Sequence, residues 1–118
     1  MKFVYVEVAF SEEPNEKIPG GELSRKICAA LGGNGPFARD DYGWEWTFRG
    51  NNYRAHAVLQ RYNRGWLIPV NVRFVDRIFK RGATALLDLA SGIERALGSD
   101  VNRILKFESE KKFRESGI

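Results

Sequence analysis

Hydrophobic residues change their spacing several times along this 118-residue chain, and each spacing predicts a different kind of element. Residues 3–10 are almost wholly apolar and rich in valine and aromatic residues, which predicts a mostly buried first strand. Residues 11–21 carry prolines and paired glycines and are expected to form a loop. The apolar positions of residues 23–31 follow a helical period that ends at Gly32 and Gly33, so a first helix is predicted there.

A period of two begins at Trp44 and predicts three strands joined by short turns. We place these strands at 44–49, 53–62 and 66–75, with glycine and asparagine in the turns between them. Pro69 lies inside the third strand and lacks the N–H that a strand paired on both sides would use. The third strand is therefore expected at an edge of the sheet or bulged at Pro69, and we favour the edge.

The remaining segments are predicted from composition and helical spacing. Residues 32–43 are turn-forming throughout and are expected to be a long loop, a type of segment that often carries function. Residues 76–82 are expected to be a charged link with one helical turn. A second helix is predicted at 83–97, a last strand at 101–109, and a charged tail, helical or loose, at 110–118.

The resulting order, β-α-β-β-β-α-β, predicts one α+β domain over residues 1–118. It comprises a largely antiparallel sheet of about five strands with two amphipathic helices packed on one face. The small alanines of the second meander strand leave room for the indole rings, which supports this choice of core face. The predicted apolar face consists of Trp44, Trp46, Phe48, Tyr53, Ala55, Ala57, Leu59, Trp66, Ile68, Val70, Val72 and Phe74.

The net charge of +4 is unevenly distributed along the chain. Residues 1–48 hold five Lys or Arg against eight Asp or Glu, residues 49–81 hold eight against one, and residues 82–118 hold six against six. The excess positive charge therefore lies in the middle third, and seven of its eight basic residues are arginine. Guanidinium groups offer paired donors that suit phosphates and carboxylates, so this region is the predicted working surface.

The strand face opposite the predicted core is polar and includes Glu45, Thr47, Gln60 and Asn71. A one-sided antiparallel sheet must show polar residues to water, so a plainly solvated face is the competing interpretation. The candidate residues for binding an anion or a partner are Arg49, Arg54, His56, Arg61, Tyr62, Arg73, Arg77 and Arg81.

Catalytic signals in the sequence are weak. His56 is the one histidine and could act as a general base, but no nucleophile motif accompanies it. Asp41 and Tyr42, in the 32–43 segment, are candidate pocket residues, and a small-ligand or enzyme site between that segment and His56 is one hypothesis. One histidine and one cysteine exclude a conventional closed zinc site, and we expect no catalytic residue, metal or cofactor.

The single cysteine, Cys28, and the absence of a secretory leader or an apolar run of membrane-spanning length predict a cytoplasmic protein without membrane contact. In size and general plan the chain resembles small accessory proteins of bacterial mobile cassettes and toxin–immunity loci, a resemblance that implies no site residue.

Three functions remain open at this stage. The leading one is a non-enzymatic interaction module that binds a protein partner or itself as a homodimer through the basic meander or its Pro69-bearing edge. Strand addition or face-to-face sheet packing would use such surfaces, and arginine and aromatic residues are typical of binding hot spots. The second is an anion or nucleic-acid binder that uses the arginines of residues 49–81. The third is the small-ligand site or enzyme near His56.

Overall fold

The computed structural model describes residues 1–9, 17–40 and 43–118, and the strands of these residues form one antiparallel sheet. The strands are β1 (Lys2–Val8), β2 (Asn34–Arg39), β3 (Gly43–Arg49), β4 (Arg54–Tyr62), β5 (Gly65–Val72) and β6 (Val101–Phe107). The helices are α1 (Gly21–Ala30), α2 (Phe74–Ile78), α3 (Gly82–Leu97) and α4 (Glu110–Glu115). The strand order is β2-β3-β4-β5-β1-β6, which confirms the predicted α+β class.

The main core lies between the sheet and the pair α1 and α3. On β3 and β4, Trp46 stands opposite Ala57, as predicted for an indole, whereas Ala55 is opposite Phe48 and Trp44 is opposite Leu59. The core side chains of the two helices are Leu23, Ile27 and Cys28 on α1 and Ala85, Leu86, Leu89, Ile93 and Leu97 on α3. The helical spacing of these residues places them on one face of each helix, which is what the sequence period indicated.

A smaller core lies on the opposite face of the sheet, under α4. Phe3, Tyr5 and Leu67 are buried there. Phe113 of α4 stacks on Phe3 at 5.1 Å between ring centroids. Ser109 begins the helix, because its hydroxyl accepts a hydrogen bond from the Lys112 backbone N–H at 3.1 Å. The charged tail is therefore a helix that covers one half of this face.

The prediction that Pro69 lies in an edge strand is wrong. β5 lies inside the sheet, paired with β4 on one side and β1 on the other. The ladder with β1 continues through Pro69, opposite Phe3, whereas the ladder with β4 is interrupted at Ile68 and Pro69 and resumes in the same register. The missing N–H therefore interrupts one ladder locally and leaves the pairing otherwise intact. Because β5 is paired on both sides, it offers no edge for strand addition.

The prediction of a loop over residues 32–43 is also wrong for most of its length. Residues 34–39 form β2, whose Phe37 and Ala38 pair with Glu45 and Trp44. Pro36 is tolerated because β2 is an edge strand whose pairing shifts between Asn34 and Phe37. Turn-forming composition was overridden by pairing to β3, so the sheet has six strands instead of about five.

Phe74 was predicted in the core of a strand ending at residue 75, and this prediction is wrong. β5 ends at Val72, and Phe74 begins the short helix α2, where its side chain is 69 % exposed. Asp76 of α2 is instead the buried residue. The Asp76 carboxylate, and not the Phe74 ring, therefore holds this segment against the rest of the protein.

Candidate binding surface

The half of the second sheet face that α4 leaves uncovered forms a mostly polar surface, which we call the open sheet surface. It lies on β2, β3, β4 and the end of β5, and strand alternation places its side chains opposite the core. Its residues are Phe37, Arg39, Glu45, Thr47, Arg49, Arg54, His56, Gln60 and Asn71. All are exposed or half-buried, so the sheet presents this face to solvent.

Four arginines converge at one end of this surface, in a basin of about 280 Å³ beside the turn between β3 and β4. We call it the arginine basin. It is lined by Arg49, Gly50, Asn51, Asn52, Tyr53, Arg54, Arg73 and Arg81. The four arginines were all predicted as candidates, and they lie together although Arg49 and Arg81 are far apart in the chain.

Arg49 and Arg54 stand directly opposite each other across β3 and β4. Like charges at such positions destabilise a sheet. Within the described ranges, neither side chain forms an ion pair with a carboxylate. The pair therefore holds two uncompensated positive charges that an anion from outside could satisfy.

Asp76 holds the other two arginines of the basin in place. Its carboxylate is fully buried and accepts hydrogen bonds from Arg73 Nε at 3.1 Å and Arg81 Nη1 at 3.2 Å. The backbone N–H of Arg54 also donates to it, at 3.0 Å. This backbone hydrogen bond is the main reason that the pKa of Asp76 is lowered, with the Arg73 and Arg81 side chains adding to it. The carboxylate thus stays ionised and fixes two guanidinium groups at the rim.

An apolar ridge adjoins the basin on α2. Phe74, Val75, Ile78 and Phe79 are all exposed, with Phe79 at 63 % and Ile78 at 58 %. Arginines lie against two of these rings: the guanidinium of Arg81 is 4.8 Å from the Phe79 ring centre and that of Arg77 is 5.7 Å from the Phe74 ring centre. We call these four residues the α2 ridge. Exposed apolar clusters of this kind mark interaction sites.

His56 lies at the centre of the open sheet surface and is held by an acid. Its Nε2 is 2.9 Å from Glu45 Oε2, and Arg39 Nη1 is 3.6 Å from the same oxygen. The hollows beside His56 hold about 220 Å³ each and are wide open. In the described residues no hydroxyl or thiol is hydrogen-bonded to the His56 ring. Within the described ranges, His56, Glu45 and Arg39 thus form a polar surface cluster without a hydroxyl or thiol hydrogen-bonded to the imidazole.

The remaining candidates do not join the basin. Arg61 lies 4.9 Å from the Trp66 ring centre, on the face that carries α1 and α3. Tyr62 is half-buried under α4, where its hydroxyl donates to the Ile118 carbonyl at 2.9 Å. Arg77 is exposed on α2. The pocket candidates Asp41 and Tyr42 lie outside the described residues.

Sequence reasoning missed Arg39 and the α2 ridge. Arg39 was assigned to a loop, and its place on the surface depends on β2 pairing with β3. The ridge carried a signal: Phe74 with Ile78 and Val75 with Phe79 are each four residues apart, a helical spacing. Because the residues up to Val75 also fit the alternation of a strand, the strand interpretation concealed this helical spacing.

The comparisons with known proteins add no functional information. None of the helices in the described ranges is long and apolar enough to span a membrane. In the same ranges no three histidine, cysteine, aspartate or glutamate residues are grouped as metal ligands. No protein-family model, no curated protein and no solved structure matches this chain.

Proposed function

We propose that this protein is a non-enzymatic interaction module that binds an acidic region of a partner protein through the arginine basin and the α2 ridge. The observation that carries the proposal is the Arg49–Arg54 pair, two positive charges set opposite each other without a carboxylate in the described structure. Repulsion between the two arginines destabilises the sheet by up to about 1 kcal/mol, and an anionic partner would relieve that repulsion. The chain was expected to act in the cytosol, and that location remains part of the proposal.

A protein partner is favoured over a simple anion because the basin adjoins apolar side chains. Arg73 and Arg81 line the basin and also flank α2, so the charged and apolar parts form one patch. Arginine and aromatic residues together are the composition of binding hot spots. Val75 and Ile78 add aliphatic surface that suits leucine or phenylalanine side chains of a partner.

Self-association through the same patch is disfavoured by symmetry. A twofold dimer brings the same patch of each copy together, so the arginines of both copies would share one interface without an exposed acid of the patch to compensate them. Asp76, the acid in this part of the chain, is buried and already bound to Arg73 and Arg81. The homodimer hypothesis is therefore tested alongside, by measuring solution mass at low and high salt.

The test measures the binding of labelled probes by fluorescence anisotropy. The first probe is a peptide that alternates glutamate with leucine and phenylalanine, and the second is a single-stranded oligonucleotide. The variant Arg49→Glu/Arg54→Glu is expected to bind the peptide about 30-fold more weakly, roughly one kcal/mol for each reversed charge. Its matched control is Lys111→Glu/Arg114→Glu on α4, whose side chains are 85 % and 75 % exposed and which changes the net charge equally. Equal peptide binding by the two variants would refute the proposal.

Nucleic acid is the second candidate because three phenylalanines are exposed near the arginines. Phe37 lies on the open sheet surface, and Phe74 and Phe79 belong to the α2 ridge. Exposed rings beside basic residues are what single-stranded binders use for base stacking. Tighter, salt-sensitive binding of the oligonucleotide than of the peptide, lost in Phe79→Ser, would replace the protein partner with nucleic acid.

A further inference from the structure

A second cavity lies away from the arginine basin, between the sheet and the start of α3. It holds about 360 Å³, within the range of small-molecule sites. It is lined by Met1, Lys2, Val70, Asn71, Val72, Arg77, Lys80, Gly82, Ala83 and Ala85. None of the residues of the arginine basin lines this cavity, and Asn71 is the residue that the cavity shares with the open sheet surface.

The cavity has apolar walls and a positively charged rim. The accessible apolar lining comes from the exposed Met1 and Ala83 and the half-buried Val72, whereas Val70 and Ala85 are buried. Arg77 and Lys80 stand at the rim, and within the described ranges neither forms an ion pair with a carboxylate. A ligand with an apolar body and one anionic head would match both features.

Lys80 occupies a backbone position that favours glycine. It follows the end of α2, where its N–H donates to the Arg77 carbonyl at 3.0 Å and the Arg81 N–H donates to the Asp76 carbonyl at 2.8 Å. This pair of bonds is the glycine-terminated helix ending, and Lys80 adopts it with φ of 57°. Lys80 therefore lies at the rim in a left-handed backbone conformation that residues other than glycine rarely adopt. Residues in such conformations concentrate at ligand sites.

We infer that this cavity binds a small amphiphilic carboxylate, with its apolar chain against Met1, Val72 and Ala83 and its carboxylate between Arg77 and Lys80. The stem of Lys2 closes one side, because its ammonium donates to the Glu108 carbonyl at 3.0 Å and is directed away from the rim. The inference is independent of the arginine basin.

The experiment titrates octanoate into the ¹⁵N-labelled protein and follows amide chemical shifts. Octanoate is expected to shift the amides of residues 70–72 and 77–85 and to bind more tightly than acetate, which lacks the chain, and octanol, which lacks the charge. Shifts confined to other residues, or octanol binding as tightly as octanoate, would overturn the inference.

Two variants separate binding from folding. Lys80→Gly removes the ammonium and suits the backbone, so it should keep or raise the melting temperature while weakening octanoate binding about threefold to fivefold. Asn63→Gly is the matched control: Asn63 has φ of 52° in the turn between β4 and β5, and its change should leave octanoate binding unaltered. Equal octanoate affinity in Lys80→Gly and the wild type would contradict the role of the rim. Arg49→Glu/Arg54→Glu should still bind octanoate, so this site and the partner surface fail or succeed separately.

Discussion

Replacing Phe113 with alanine should undock α4 and lower the stability of the whole chain. The Phe113 ring lies 5.1 Å from that of Phe3, 5.4 Å from that of Phe107 and 5.5 Å from that of Tyr62. These contacts tie α4 to β1, β6 and β4. The helix has six residues, too few to persist in water without such packing.

The magnitude follows from partial burial. Complete loss of a buried phenylalanine costs about 3–5 kcal/mol, and Phe113 is half-buried, so about half of that applies. We expect a loss of about 2 kcal/mol in the free energy of unfolding, a fall of about 8 °C in the melting temperature of a chain of this size. Urea denaturation measures the first quantity, and amide hydrogen exchange over residues 110–118 reports whether α4 opens first.

The control for Phe113→Ala is Lys111→Ala, on the exposed side of the same helix, which should leave the urea midpoint unchanged. Binding of the acidic peptide should also be unchanged in Phe113→Ala at a temperature where it is folded, because α4 lies away from the arginine basin. An unaltered urea midpoint in Phe113→Ala would refute the claim that α4 packs as described.

Two further predictions concern pH. Burial, with the hydrogen bond to Asp88 at 2.6 Å, raises the pKa of Tyr53 strongly, so the folded state keeps a proton that the unfolded state loses above its ordinary pKa of about 10. The free energy of unfolding should therefore have its full value below that pH and decrease above it. Tyr53→Phe should remove much of this decrease and should lower the free energy of unfolding at neutral pH by about 1 kcal/mol. The pKa of Asp76 is lowered, so its stabilising effect is complete above the ordinary aspartate pKa of about 3.9 and is lost as the pH falls toward the folded value. Asp76→Asn should lower the urea midpoint at neutral pH and flatten its decline in acid, and a wild-type acid limb in Asp76→Asn would contradict this. Both are checked by urea midpoints measured across pH.

The strands β1, β3, β4, β5 and β6 and the helices α1 and α3 could be predicted because their signals are local. Trp44, Trp46 and Phe48 alternate in a way that favours a half-buried strand, and the apolar stripe of α3 has a helical period over 16 residues. The errors arose where distant pairing outweighed local preference. The turn-forming residues 34–39 form β2 because they pair with the edge of β3. Pro69 lies inside the sheet because the ladder with β1 is intact where the ladder with β4 is interrupted.

The candidate site also depends on contacts between residues that are distant in the sequence. The charge count placed the positive excess in residues 49–81, yet which arginines meet depends on Asp76, the one acid in that segment. Its burial could not be foreseen from spacing, because an aspartate four residues after a strand is ordinarily a solvated turn residue. The buried carboxylate binds the Arg73 and Arg81 side chains and the Arg54 backbone N–H, and Phe74 remains exposed.

The buried carboxylate also explains why one short segment carries both the charged and the apolar parts of the proposed surface. Because Asp76 anchors α2 from within, the neighbouring side chains are not needed for the core, and four of them are large and apolar. A cluster of exposed apolar side chains lowers solubility, and in soluble proteins such clusters mark binding sites. Replacing them with serine should therefore leave the free energy of unfolding nearly unchanged while weakening partner binding, an asymmetry that a core role for α2 would reverse.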